Sequence, residues 1–204
     1  MLSLGITSGL INLLGTGVYI TAVLKKQSSP ERATWFIWLL MGSVAFLSQA
    51  AIGAHDSLWF VGLQTVGVAI VALLSLKYGE GGFGRNDSLL ILLALIGIGV
   101  WLVTDNALFS LVMVVIVRAI GVSATVIKTY AHPRSETALL WLLYAVSAVL
   151  AMLSVGRLDF ALLLYPMYVL IADFAVMFAK YHRSLQVARL AQEFASYSHP
   201  ESQK

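Results

Sequence analysis

Seven apolar runs divide this chain, at 4–24, 34–54, 59–76, 88–104, 107–127, 138–156 and 160–179, each 17 to 21 residues long. A helix needs about 20 residues to cross the hydrocarbon of a bilayer, so every run is long enough to span. Backbone amides cannot stay unpaired in lipid, and the runs lack the ~10-residue alternation of barrel strands, so they are read as helices. Charged side chains make up 11% of the 204 residues, against about 25% in a soluble domain, which excludes a water-facing globule. No charge precedes the first run and it exceeds the apolar core of a signal peptide, so it is expected to remain as span 1. The fold class expected is all-α, an integral membrane protein of seven transmembrane helices.

Basic residues fix an expected orientation. Lys25, Lys26, Arg32, Lys77, Arg85, Lys128, Arg134, Lys180, Arg183, Arg189 and Lys204 fall at one end of the runs, and Arg157 alone at the other. Basic loops stay cytoplasmic, which puts the amino terminus outside and the carboxyl terminus inside a cell or inner membrane. The net charge of +3 is accounted for by these loops and points to lipid headgroups rather than nucleic acid.

The chain also repeats itself. Shifted by 103 positions, 22–56 lies over 125–159 with 11 of 35 pairs identical, among them Lys25/Lys128, Pro30/Pro133, Thr34/Thr137, Trp38/Trp141, Gly53/Gly156 and Asp56/Asp159. Spans 1 to 3 then correspond to spans 5 to 7, and span 4 is the extra helix that lets both triplets point the same way, a 3+1+3 arrangement of two parallel triple-helix bundles. The divisions expected are 1–79 for the first unit, 80–106 for a connector and span 4, 107–180 for the second unit and 181–204 for a cytoplasmic tail. In that tail Val187, Leu190, Ala191 and Phe194 share a face, as in a helix lying on the anionic inner leaflet or in a solvated extension.

The repeated loop Lys-(x4)-Pro-(x3)-Thr-(x3)-Trp and the 3+1+3 plan resemble the SWEET and PQ-loop transporter superfamily, over nearly the whole chain. In the SWEET sugar carriers an asparagine in span 3 and one after a proline in span 7 flank the substrate. Gln64 resembles the first, and Met167, after Pro166, stands in the place of the second; the offset of 103 also pairs Gln64 with Met167. The resemblance implies a central solute site between the two units and alternating access.

Two charges lie inside spans, Arg118 and Asp173, about 16 and 20 Å below the outer ends at ~1.5 Å per residue. A lone charge there costs roughly 2.5 to 3.5 kcal/mol, so the two are expected to pair or share a network, either as a structural lock or as a coupling site. Further substrate-site candidates are Gln64, Tyr165, Tyr168, Asn12, Ser43 and Ser147, with Gln49 and Tyr144 as other deep polar groups. Trp35 and Trp38 share a helical face near the cytoplasmic border, with Trp141 as the repeat partner of Trp38, and read as an interfacial belt or as an inner gate; Pro166 is a candidate for a static kink or a gate.

Enzyme chemistry is not expected. His55, His132, His182 and His199 all fall outside the runs, and neither a paired-carboxylate arrangement nor a nucleophile elbow is present. Glu80-Gly-Gly-Phe-Gly-Arg85 lacks the Gly-Lys-Ser/Thr ending of a phosphate loop and reads as a connector. A retinal photoreceptor would need a mid-span lysine where Asp173 stands. The expected function is transport of a small polar solute, with a proton-coupled variant open and no cofactor or metal; homo-oligomers are compatible with it. The alternatives are a receptor or sorting protein on the same scaffold, as the KDEL receptors resemble the SWEETs, and a structural subunit of a membrane complex.

Overall fold

A computed structural model describes residues 2–82, 84, 88, 89, 91, 92, 95, 96, 99, 103 and 106–198. Six helices account for most of them: α1 (Leu2–Leu24), α2 (Arg32–Ala51), α3 (Leu58–Tyr78), α4 (Ala107–Ala131), α5 (Ala138–Val155) and α6 (Phe160–Ser198). All six are long and apolar enough to cross a membrane, so the protein is a helical, multi-pass membrane protein. The fourth expected span, 88–104, lies largely outside the described residues.

Local chemistry explains where the helices start and stop. The Glu31 side chain accepts from the Thr34 amide at 2.8 Å, and Asn106 Oδ1 accepts from the Phe109 amide at 3.0 Å. Asp159 Oδ1 accepts from the amides of Ala161 and Leu162 at 3.1 and 3.3 Å. Each supplies an oxygen to amides that a helix cannot satisfy itself. The carboxyl-terminal ends of α2 and α5 close on Gly53 and Gly156, with φ of +84° and +71°, a left-handed conformation that suits glycine. The two are partners in the sequence repeat.

At the basic end, Arg32 donates to the carbonyls of Ser75, Gly79 and Gly81 at 3.0, 2.7 and 2.6 Å, capping α3. In the second half Lys180 of α6 donates to the carbonyls of Pro133 and Glu136, holding the turn between α4 and α5. Each half therefore ties the start of its second helix to the end of its third, with the cation on the second helix in one half and on the third in the other.

The helices pack as a closed ring in the order α1, α3, α2, α4, α6, α5 and back to α1. Exchanging α1 with α4, α2 with α5 and α3 with α6 leaves this order unchanged. Burial follows the same exchange. Buried Ser8, Asn12, Thr16 and Tyr19 of α1 match buried Ser110, Val114, Arg118 and Gly121 of α4. Ile37, Trp38, Met41 and Ala45 of α2 match Leu140, Trp141, Tyr144 and Ala148 of α5, and Val61, Gln64, Val68, Ala72 and Ser75 of α3 match Leu162, Tyr165, Val169, Asp173 and Val176 of α6. Only the α2/α5 match keeps the separation of 103; it is 102 for α1/α4 and 101 for α3/α6. Small length differences around the loops shift the register of the flanking helices.

α6 runs without a break for 39 residues, about 58 Å at 1.5 Å per residue, well beyond the ~30 Å of hydrocarbon. The described part of the expected tail, 181–198, is thus a continuation of α6. Its first turns lean on α4: Tyr130 Oη donates to Gln186 Oε1 at 3.1 Å, and the Arg183 guanidinium lies 5.6 Å from the Tyr130 ring.

Candidate functional site: a polar cavity between the two halves

Inside the ring, Arg118 from α4 is buried, 7% exposed. Its guanidinium lies 5.8 Å from the Trp38 ring and 5.6 Å from the Tyr165 ring, and Nη1 donates to the Trp38 carbonyl at 3.3 Å. Aromatic faces and a carbonyl replace part of the water an arginine loses on burial. Its Nε finds no partner.

Asp173 of α6 is 2% exposed and lines the same cavity as Arg118, together with Gln64, Trp35, Trp38, Trp141, Tyr144 and Tyr168. The expected pairing takes the looser of its two forms: no ion pair within 4.0 Å joins Arg118 to Asp173, yet both face one space. Asp173 Oδ2 is buried without a hydrogen-bond partner, and the Tyr168 hydroxyl lies against the Arg118 guanidinium. The cavity volume is about 20 Å³, enough for roughly one water. Polar atoms of Arg118, Asp173, Tyr168 and Gln64, drawn from three helices, thus meet at one cavity.

Tyr165 Oη donates to Gln64 Oε1 at 2.8 Å, joining α6 to α3 across the ring. These two residues occupy matching positions in the two halves. Met167, the expected counterpart of Gln64, is 37% exposed on the outside of the bundle. The reason is register: the α3/α6 separation is 101, so the offset of 103 lands two residues too far and turns the side chain outward. Gly15 and Ile70 likewise give way to Thr16 and Ala72 as counterparts of Arg118 and Asp173.

Towards the basic end an aromatic cluster follows. Tyr19 stacks on Trp35 with centroids 5.2 Å apart, Trp35 meets Trp38 at 5.3 Å, Trp38 meets Trp141 edge to face at 6.4 Å, and Trp141 meets Tyr144 at 6.4 Å. All five are buried. The gate candidates Trp38 and Trp141 therefore face each other rather than lipid, whereas Trp59 is 45% exposed, as suits an interfacial belt.

Other candidates lie elsewhere. Ser43 donates to the Leu39 carbonyl at 2.9 Å and lines an outward-facing apolar groove between α2 and α3 with Phe46, Leu47 and Trp59. Asn12 and Ser147 are fully buried but do not line the cavity; the Ser147 carbonyl accepts from Ser8 Oγ at 2.7 Å. Pro166 sits in an unbroken helix. Proline has no amide proton for the carbonyl four residues earlier, and that carbonyl, of Leu162, accepts from Gln49 Nε2 at 3.5 Å. Gln49 thus fills the gap that Pro166 leaves.

Sequence reasoning passed over Trp35 as a cavity wall and Glu136 beneath the aromatic cluster. A tryptophan at the membrane border and a carboxylate in a loop carry no sign of burial until the helices are assembled. Among the described residues no group of three His, Asp or Glu is placed to hold a metal ion. Comparison with protein-family models, with curated proteins and with solved structures returned no match.

Proposed function

We propose that this protein is a carrier for a small polar solute, working by alternating access between two triple-helix units of a 3+1+3, SWEET-like plan. The reading is carried by one observation: a ring of helices whose order survives exchange of its halves, closed around a cavity lined by the polar side chains of Arg118, Asp173, Tyr168 and Gln64. A site on such an axis can face either end if the halves rock, with little change inside each half. The small closed cavity corresponds to an occluded state, with the aromatic cluster as the inner gate and Gln64 and Tyr165 joining the halves. The basic end is cytoplasmic in this reading, and the residues that contact solute are Gln64, Tyr168, Arg118 and Asp173.

Purified protein reconstituted in liposomes and challenged with labelled sugars, amino acids and carboxylates tests it. Saturable flux of one class, lost in Arg118→Leu with the fold retained, supports the carrier. Binding without flux would favour a receptor, and neither would remove the proposal.

A further inference from the structure

Glu136 lies in the turn between α4 and α5, outside the spans, yet it is only 7% exposed. Both carboxylate oxygens are engaged: Oε1 by Lys128 Nζ at 3.3 Å and Oε2 by Trp141 Nε1, which donates at 3.3 Å. Trp141 is in edge contact with Trp38, and Trp38 carries Arg118 on its ring and its carbonyl. Three contacts therefore run from an ionisable group at the basic end to the cavity. The corresponding position in α2 is Ala33, and Trp38 Nε1 is buried without a partner. Of two facing tryptophans, one is tethered and one is not.

The charged and titratable groups facing Glu136 are Lys128 on α4, Lys180 on α6, which donates to its backbone carbonyl at 3.0 Å, and Tyr19 on α1. Glu80, beyond α3, stands 4.0 Å from Lys128 and competes for it.

Resting on the carrier reading, we propose that Glu136 is the positioning residue of the inner gate. Ionised and held by Lys128, it pins the Trp141 ring across the basic end of the cavity; protonated, it releases the ring and that end opens. Charge-assisted hydrogen bonds are roughly twice as strong as neutral ones, so loss of the carboxylate charge weakens both contacts together. Burial pushes the Glu136 carboxyl above its ordinary range, while Lys128 and the Trp141 N–H draw it down.

The chain has no cysteine, so a single Ala172→Cys, in the cavity wall, reports gate opening through its rate of modification by a water-soluble maleimide in lipid nanodiscs. Gly82→Cys, on the exposed connector, gives the reference rate at each pH. Glu136→Gln is expected to raise the relative rate about tenfold at neutral pH, Trp141→Phe to do the same, and the double variant to add nothing. Without these changes the rate should climb as pH falls, and with Glu136→Gln it should stay flat. If Glu136→Gln does not fold, Trp141→Phe, which keeps a ring, decides alone. Rates unmoved by the substitutions, or additive effects, overturn the tether. Solute flux on the same preparations separates the two ideas: flux beside an unresponsive cysteine removes the tether alone, and a responsive cysteine without flux removes the carrier alone.

Discussion

Tyr165 and Gln64 hold matching positions in the two halves of the ring and bond to each other, hydroxyl to amide oxygen, at 2.8 Å. A contact between equivalent positions lies on the axis that exchanges the halves, and both partners are buried, at 0% and 2% exposure. Tyr165→Phe leaves the Gln64 carbonyl unpaired, and an orphaned buried acceptor costs about 1–3 kcal/mol. Thermal unfolding of the two forms side by side should show that loss. An unchanged melting temperature would mean the bond contributes nothing.

Gln49 and Pro166 should be energetically coupled through the Leu162 carbonyl. Gln49→Leu is expected to destabilise the protein by about 1–3 kcal/mol, since it strips that carbonyl of its donor. Pro166→Ala restores a backbone donor to the same oxygen, so Gln49→Leu should cost clearly less in that background. A double-mutant cycle reads the difference, and additive costs would show that the two residues act independently.

Met167 and Tyr168 are neighbours in sequence and opposites in place. Met167→Ala is expected to change solute affinity less than twofold, because its side chain faces outward. Tyr168→Phe, which removes a hydroxyl from the cavity, should weaken it about tenfold, within the range of a lost hydrogen bond to a ligand. Isothermal titration ranks the two, and the reverse order would move the site.

In the Glu136→Gln background, Asp173→Asn should flatten whatever pH dependence of solute flux remains, because it removes the one carboxylate facing the cavity among the described residues. A pH profile unchanged by the substitution would take proton coupling away from this residue.

Glu136 makes a stability prediction with a definite sign. A carboxyl whose titration is raised in the folded protein binds more protons folded than unfolded. Stability therefore falls as pH rises from the ordinary carboxyl range through the raised value. Glu136→Gln should remove that slope, and melting curves across the window show whether it does.

How much of this was legible in the sequence follows from which forces sequence records. Run length and the cost of unpaired amides in lipid were enough to place six described helices, whereas the caps at Glu31, Asn106 and Asp159 emerged only with the structure. The repeat identified Trp38 and Trp141 as partners because α2 and α5 keep the separation of 103. It failed for Gln64, where two positions of slippage turn a helical side chain by about 200°, so Met167 was chosen and Tyr165, already a candidate in its own right, is the true counterpart. Arg118 and Asp173 stood out because charge is expensive in a span. Their separation across a cavity did not, since it depends on how five helices meet. Glu136 was invisible for the same reason: its burial is made by α1, α4 and α6 together.

The central claim is that two equivalent halves rock about the cavity. Pulsed spin-label distances on the cysteine-free chain test it most directly, with label pairs at the repeat partners Ser29 and His132 at the basic end and at His55 and Leu158 at the other. Two distance populations at each end, whose weights shift in opposite directions when a bound solute or the pH is changed, are the result this account expects. A single population at both ends that nothing shifts would contradict it.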